Sequence, residues 1–218
     1  MLEYENVSDK LVRQMLVNAH NPRRAKIRTK FLREEYKFLN SRIKNEIVLA
    51  AGCGLGHEVF VLAKNNSWVI GVDIIESLVD EARSTALKKE INNVSFICSD
   101  FLKLDQLNVP FNSILLNMGT ICNFDDIAYV VEKLLSYGEK LYFDFYSSKR
   151  SVIAIRKKMY EEEAWSKLRV SGAKIINECG FESKAFSKKY IKGIIDQLGF
   201  KVRFYPICNF AYMAEVWR

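Results

Sequence analysis

Apolar and polar positions along the 218-residue chain switch between a period near 3.6 and continuous short apolar runs. Leu11, Val12, Met15 and Leu16 share one side of a segment from Ser8 to Asn18, which predicts a short helix. Asn21-Pro22 reads as an N-cap and first helical residue of a longer one, running to about Ile43. Its buried stripe is Ile27, Phe31, Leu32, Leu39 and Ile43. The run Ile47 to Ala51 then predicts a buried strand that passes straight into Gly52-Cys53-Gly54-Leu55-Gly56 and a helix opening at His57-Glu58. A second apolar run, Val69 to Val72, ends in Asp73. A helix from Ser77 to about Glu90, with Leu78, Ala82 and Leu87 among its apolar positions, is broken by Asn92-Asn93. Val94–Cys98 and Phe111–Met118 are the third and fourth predicted strands, and helix Asp125–Tyr137 and strand Lys140–Tyr146 follow. Strands alternating with helices imply a parallel sheet with helical crossovers.

Past Tyr146 the rhythm changes. Residues 147–180 are highly charged, with Glu161-Glu162-Glu163 and Trp165. Within them Val152, Ile155 and Met159 suit an amphipathic helix, and Arg169–Ile176 a strand or turn pair. Ser187 is an N-cap for a helix marked by Tyr190, Ile191, Ile194, Ile195 and Leu198, which Gly199 ends. Phe200–Pro206 and Ala211–Trp217 read as a hairpin. No internal repeats or low-complexity segments occur.

Composition narrows the class. No run of 18 apolar residues exists, so no transmembrane helix is expected. The start, Met1 to Glu5, lacks the basic and apolar stretches of a secretory signal, so a cytoplasmic location is expected. Five cysteines without a C-x-x-C pair predict free thiols and no structural zinc site. The charge is placed unevenly: residues 1–45 hold 11 Lys/Arg against 5 Asp/Glu, while the rest of the chain holds 22 against 21. Arg23, Arg24, Lys26, Arg28, Lys30 and Arg33 are interrupted by no acid, and Arg23, Lys26, Lys30 and Arg33 recur on one helical side. That side is a solvated face, a contact for RNA phosphates, or a contact for an anionic small substrate.

The glycine turn carries the chemistry. Glycines directly after a buried strand and before a helix bring bare backbone N–H groups and a helix N-terminus against a ligand. An acid at the tip of the second strand, Asp73, is placed to hold the two hydroxyls of a ribose. A dinucleotide fingerprint would need G-x-G-x-x-G, but its third glycine position is His57, and the glycines fall at 52, 54 and 56. Two other chemistries lack their signatures: no G-x-S-x-G nucleophile elbow is present, and no P-loop lysine follows the glycines.

With this spacing the chain resembles the class I S-adenosylmethionine-dependent methyltransferases, whose first motif is an acid, any residue, then G-x-G-x-G. The resemblance covers roughly residues 45 to 146 well and the C-terminal strands more loosely. It departs at Ala50, where the family carries the acid that often helps to hold the methionine part of the cofactor. The resemblance implies a doubly wound, mostly parallel seven-stranded α/β sheet with an antiparallel last strand, helices on both faces and an N-terminal helical cap. It implies one methyltransferase domain over 1–218, built of a cap (1–45), a cofactor core (46–146), a substrate-side insert (147–180) and a C-terminal helix and hairpin (181–218). S-adenosylmethionine would be held by Ala51, Gly52, Gly54, Gly56, Asp73, Ile74, Asp100, Phe101 and Asn117. In such a site Asp100 accepts from the adenine amino group and Phe101 packs on the ring. Asn117, Asn123 and Tyr146, at the ends of strands four and five, are the candidates for acceptor contacts.

Three functions are then open. Absence of an N-P-P-Y sequence after strand four and the sizeable insert favour methyl transfer to N or O of a small molecule. The basic N-terminal helix favours an RNA acceptor, tRNA or rRNA. Ala50 lends weight to a cofactor-binding regulator without catalysis. The sequence does not fix an oligomeric state.

Overall fold

The computed structural model describes residues 8–218. The leader-free start expected for Met1–Glu5 lies outside the described residues. Seven strands form the main sheet in the order β3-β2-β1-β4-β5-β10-β9. They are β1 (Ile47–Ala51), β2 (Trp68–Asp73), β3 (Val94–Cys98), β4 (Phe111–Leu116), β5 (Gly138–Tyr146), β9 (Lys201–Ile207) and β10 (Ala211–Trp217). The first five are parallel, and β10 runs antiparallel to both β5 and β9. The fold is therefore the mixed, doubly wound sheet expected. The order reverses between β1 and β4, so the crevice beyond their carboxyl ends is where such sheets bind ligands.

The helices are α1 (Asp9–Ala19), α2 (Lys26–Arg42), α3 (His57–Ala63), α4 (Glu76–Lys88), α5 (Ile127–Ser136), α6 (Arg150–Glu162) and α7 (Lys188–Gln197). Local chemistry sets several of their ends. Ser8, Asp126 and Ser187 accept backbone N–H groups three residues on, which satisfies otherwise orphaned donors. Gly199, at φ 77°, closes α7 with a Phe200 N–H to Ile195 carbonyl bond.

The start of α2 corrects the sequence reading. Asn21 Oδ1 accepts the Arg23 N–H and the Asn21 carbonyl accepts the Ala25 N–H, so residues 21–24 form a separate turn. Asparagine competes for nearby backbone in this way and draws the chain out of a helix. The helix opens at Lys26, and its Ile27 N–H is capped from a distance by Glu162 Oε2 at 2.9 Å.

The insert also differs in extent. After α6 the chain forms a small antiparallel sheet of β6 (Arg169–Ser171), β7 (Lys174–Ile176) and β8 (Glu182–Ser183). Its third strand lies past residue 180. Arg156 of α6, fully buried, joins this sheet to the body by donating to the carbonyls of Ala173, Ser183 and Lys184 and to Ser183 Oγ. Trp165 stacks on Phe181 at 4.1 Å. All five cysteines are free, and no helix among the described residues is long and apolar enough to cross a membrane.

Candidate active site at the carboxyl ends of the strands

β1 ends in a turn in which Gly52, Gly54 and Gly56 all take left-handed φ, at 68°, 48° and 77°. A side chain is disfavoured at each, and a Cβ on Gly54 would also lie 2.8 Å from Leu16 of α1. Helix α1 therefore rests on the glycine turn. Bidentate pairing of Arg13 with Glu81 of α4 holds it there. So does a face-to-face stack of His20 on His57, the first residue of α3, with ring centroids 3.6 Å apart. Nothing in the sequence signals that its two histidines meet. Burial pushes both imidazoles down, His57 to about 4, so both are neutral near pH 7.

Asp73 reaches the turn from the tip of β2. Its Oδ2 accepts the Gly54 N–H at 2.7 Å and its Oδ1 the Ile75 N–H at 3.0 Å, leaving further lone pairs for a ligand. Ile74 beside it is exposed although apolar. Phe101 and Thr120 border the space over Gly52, at 3.8 and 3.7 Å from a Cβ placed there. Asp100 accepts the Leu102 N–H through Oδ1, and Phe101 packs edge-on to Phe124 at 5.9 Å. Ala51 is buried in β1. The glycine turn, the tip of β2 and Phe101 thus meet at one rim.

The acceptor candidates lie deeper. Asn117 is buried and donates from Nδ2 to Glu35 Oε2 at 3.3 Å. Tyr146 is fully buried, accepts from Arg28 Nη1 at 2.7 Å and donates to the Met118 carbonyl at 3.2 Å. Asn123 is half-buried in the short 3-10 turn Thr120–Asn123.

Around them is a cluster of buried charges that sequence reasoning missed: Arg28 and Glu35 of α2, Glu58 of α3, Asp144 of β5 and Glu163 after α6. Arg28 does not belong to the exposed basic side. Its Nε meets Glu163 Oε1 at 2.6 Å, and its guanidinium lies 5.6 to 5.9 Å from the rings of Phe31, Tyr146 and Tyr160. Arg23, Lys26, Lys30 and Arg33 do remain exposed. Burial pushes the Glu58 carboxyl up to about 8 and Asp144 to about 7. One signal was available: Glu35 stands four residues from both Phe31 and Leu39, inside the apolar stripe.

Comparison with known proteins agrees with this geometry. A family model described as a methyltransferase domain matches residues 43–203. Over 99 residues the chain is 27% identical to the 23S rRNA (uracil(1939)-C(5))-methyltransferase RlmD of Psychromonas ingrahamii, covering 43% of this chain and 22% of that protein. Over 62 residues it is 39% identical to the S-adenosyl-L-methionine-dependent Diels-Alderase iccD of Talaromyces variabilis, covering 28% and 21%. The matched segments span about a fifth of the length of these relatives. Magnesium protoporphyrin IX methyltransferase from Synechocystis PCC 6803, solved with bound SAH, shares the fold with a TM-score of 0.65 at 17% identity, over 100% of this chain and 97% of that one. A Pyrococcus horikoshii OT3 protein does so with a TM-score of 0.67 at 22% identity, over 90% and 95%. Matched over more than half its length to the family model, and sharing its fold with solved methyltransferases, the chain belongs to the methyltransferase domain family.

Proposed function

We propose that the protein transfers the methyl group of S-adenosylmethionine to an N or O atom of a small-molecule acceptor. One observation carries this reading: α2 and α6 are clamped over the carboxyl ends of β4 and β5 by the buried contacts of Arg28 with Glu163 and Tyr146. An acceptor reaching those strand ends meets a covered layer rich in buried charge, which suits a small molecule better than a folded nucleic acid. The insert that closes it, α6 with its small sheet, is held as one piece by Arg156.

The donor supplies a sulfonium methyl group for in-line displacement. The chain's own work is binding, alignment and exclusion of water, and good alignment alone reaches effective molarities of ~10⁵–10⁸ M. In this reading Asp73, fixed by the Gly54 and Ile75 amides, takes the ribose hydroxyls. Ile74 and Phe101 flank the adenine, Asp100 accepts from its amino group, and Ala51, Gly52, Gly56 and Asn117 line the path toward the methionine end. Asn117, Asn123 and Tyr146 face the acceptor. The residues fit the donor: the turn is bare backbone, an apolar side chain stands exposed at Ile74, and a half-buried carboxylate at Asp73 has unused lone pairs.

Either S-adenosylmethionine or S-adenosylhomocysteine at 100 times its Kd is expected to stabilise the protein by ~2.7 kcal/mol. Asp73→Ala is expected to weaken both at least about tenfold, since hydrogen bonds to a charged group contribute roughly 1.5–3 kcal/mol each. Thermal shift and calorimetry check this. A folded Asp73→Ala variant with unchanged affinity would refute the ribose role.

A second reading has its own support. Five curated relatives matched over 54 to 99 residues are named as RNA methyltransferases, and Arg23, Lys26, Lys30 and Arg33 form an exposed basic side. Reversing Arg23, Lys26 and Lys30 to glutamate separates the two. With a small acceptor, the change raises KM or lowers kcat and preserves donor affinity. With an RNA acceptor, it abolishes binding to tRNA or rRNA fragments and flattens the salt slope by about one unit per lost phosphate contact. Tight, salt-dependent RNA binding by the unaltered protein would reverse our preference.

A further inference from the structure

Two carboxylates in the layer between α2 and the sheet are buried without enough partners. Glu35 is fully buried; its Oε2 accepts from Asn117, and its Oε1 has no hydrogen-bond partner. Asp144 is likewise fully buried; its Oδ1 accepts the Gly119 N–H at 2.9 Å, and its Oδ2 has none. Leaving one such oxygen unpaired is costly, and native proteins rarely leave two side by side.

Register brings the pair to the cofactor rim. Ala50 aligns with Leu115 on β4, so Gly52 and Asn117 follow the ends of neighbouring strands. Leu115 aligns with Tyr142, so Asn117 and Asp144 turn to the same face of the sheet, and Phe31 and Phe38 of α2 meet that face at Tyr146 and Tyr142. Ala50 turns that way too, so β1 brings no carboxylate of its own to this layer.

The charged neighbours do not neutralise the pair. Arg28 of α2 is near enough to act on both, but its Nε and Nη1 are committed to Glu163 and Tyr146. Glu58 of α3 adds a further acid facing Glu35. Burial first, and the Asp144 charge second, push the Glu35 carboxyl well above its ordinary range. In the ligand-free protein one proton shared between the two carboxyls removes a charge and can serve both oxygens, and an ammonium entering there displaces it.

We propose that Glu35 and Asp144 form a receptor for an ammonium group, whose N–H bonds fill Glu35 Oε1 and Asp144 Oδ2. The inference rests on the methyltransferase reading, because two participants can bring such a group to this place. The α-ammonium of the donor's methionine end is one, and an amine acceptor is the other. Binding an ammonium favours the ionised carboxylates, so the pair releases protons as the ligand enters.

Calorimetry on the full-length protein tests this with three nucleosides: S-adenosylmethionine, S-adenosylhomocysteine and methylthioadenosine, which lacks the amino-acid end. If the donor's ammonium is the occupant, Glu35→Gln and Asp144→Asn each weaken the first two by roughly tenfold or more, the loss of one charge-assisted bond. Methylthioadenosine affinity then changes less than about twofold. In unaltered protein at pH 6.5, repeated in buffers of different ionisation enthalpy, S-adenosylhomocysteine releases protons and methylthioadenosine does not. If an amine acceptor is the occupant, donor affinity is unchanged, and ethylammonium stabilises the S-adenosylhomocysteine complex of the unaltered protein but not of the variants. Equal weakening of all three nucleosides, or no change in any arm, overturns the proposal. Should neither variant fold, equal proton release by S-adenosylhomocysteine and methylthioadenosine, with no ethylammonium effect, overturns it in the unaltered protein. Unaltered protein that binds none of the three overturns the methyltransferase reading itself.

Discussion

Raising the pH from about 6.5 to about 8.5 is expected to lower the unfolding free energy of the ligand-free protein by about 2–5 kcal/mol. Three fully buried carboxyls drive this. Burial raises Glu58 from 4.5 to about 8 and Asp144 from 3.8 to about 7, and it raises Glu35 well above 4.5. A group whose folded pKa is raised stabilises the fold below its unfolded pKa and loses that contribution as pH rises through the folded value. Glu58 therefore loses its share between about 4.5 and 8. His20 and His57 work in the opposite sense: their folded pKa values are depressed, so their contribution is lost as pH falls from 6.5 toward about 4. Between about pH 4.5 and 6.5 the two trends oppose each other and partly cancel, and above about 6.5 only the loss from the carboxyls remains. Urea unfolding across this range reads the curve, and Glu58→Gln should flatten its alkaline limb. Stability that holds level or rises between pH 6.5 and 8.5 would show that these carboxyls are ionised in the fold.

Arg28→Leu alone is expected to destabilise the protein by about 3–5 kcal/mol, because it leaves Glu163 buried and uncompensated. The side chains of the pair are 3% and 5% exposed, so water cannot take over. Burial pushes the Glu163 carboxyl up and the Arg28 guanidinium, acting on it at close range, pulls it back. Removing the arginine leaves only the first effect. The double variant Arg28→Leu with Glu163→Leu should regain most of the loss, since apolar replacements of a buried pair are often nearly neutral. A double-mutant cycle from denaturant midpoints measures the coupling. A loss below about 1 kcal/mol in Arg28→Leu would place the pair among solvent-screened contacts instead.

What was legible in the sequence was what short range encodes. The apolar runs of β1 and β4, the glycine turn, the Ser187 cap and the Gly199 stop are all local signals, and each stands where the pattern placed it. Asn21 failed for a local reason too: one side chain serves either a helix or a turn, and the sequence does not say which. The buried charges were hidden for a different reason. Arg28 and Glu163 are 135 residues apart, and a charged residue in isolation reads as a solvated one. Likewise His20 and His57 meet only because α1 folds back across the glycine turn. The proposed cofactor rim is made by adjacent strand tips and could be read; the layer of buried charge is made by α2 and α6 crossing over the sheet, and could not.

The joint between α2 and α6 also bears on where this chain can be cut. Glu162 caps the backbone of α2 at Ile27, and its neighbour Glu163 binds Arg28, so two consecutive acids grip two consecutive residues. The segment that the family model matches begins only at residue 43, after α2 has ended. A fragment trimmed to that boundary would keep both acids and discard their partners, together with the helix that covers Tyr142, Asp144 and Tyr146. The stretch outside the family model is thus the one that brings Arg28 to Glu163, and that model's boundary marks a poor edge for dissecting this protein.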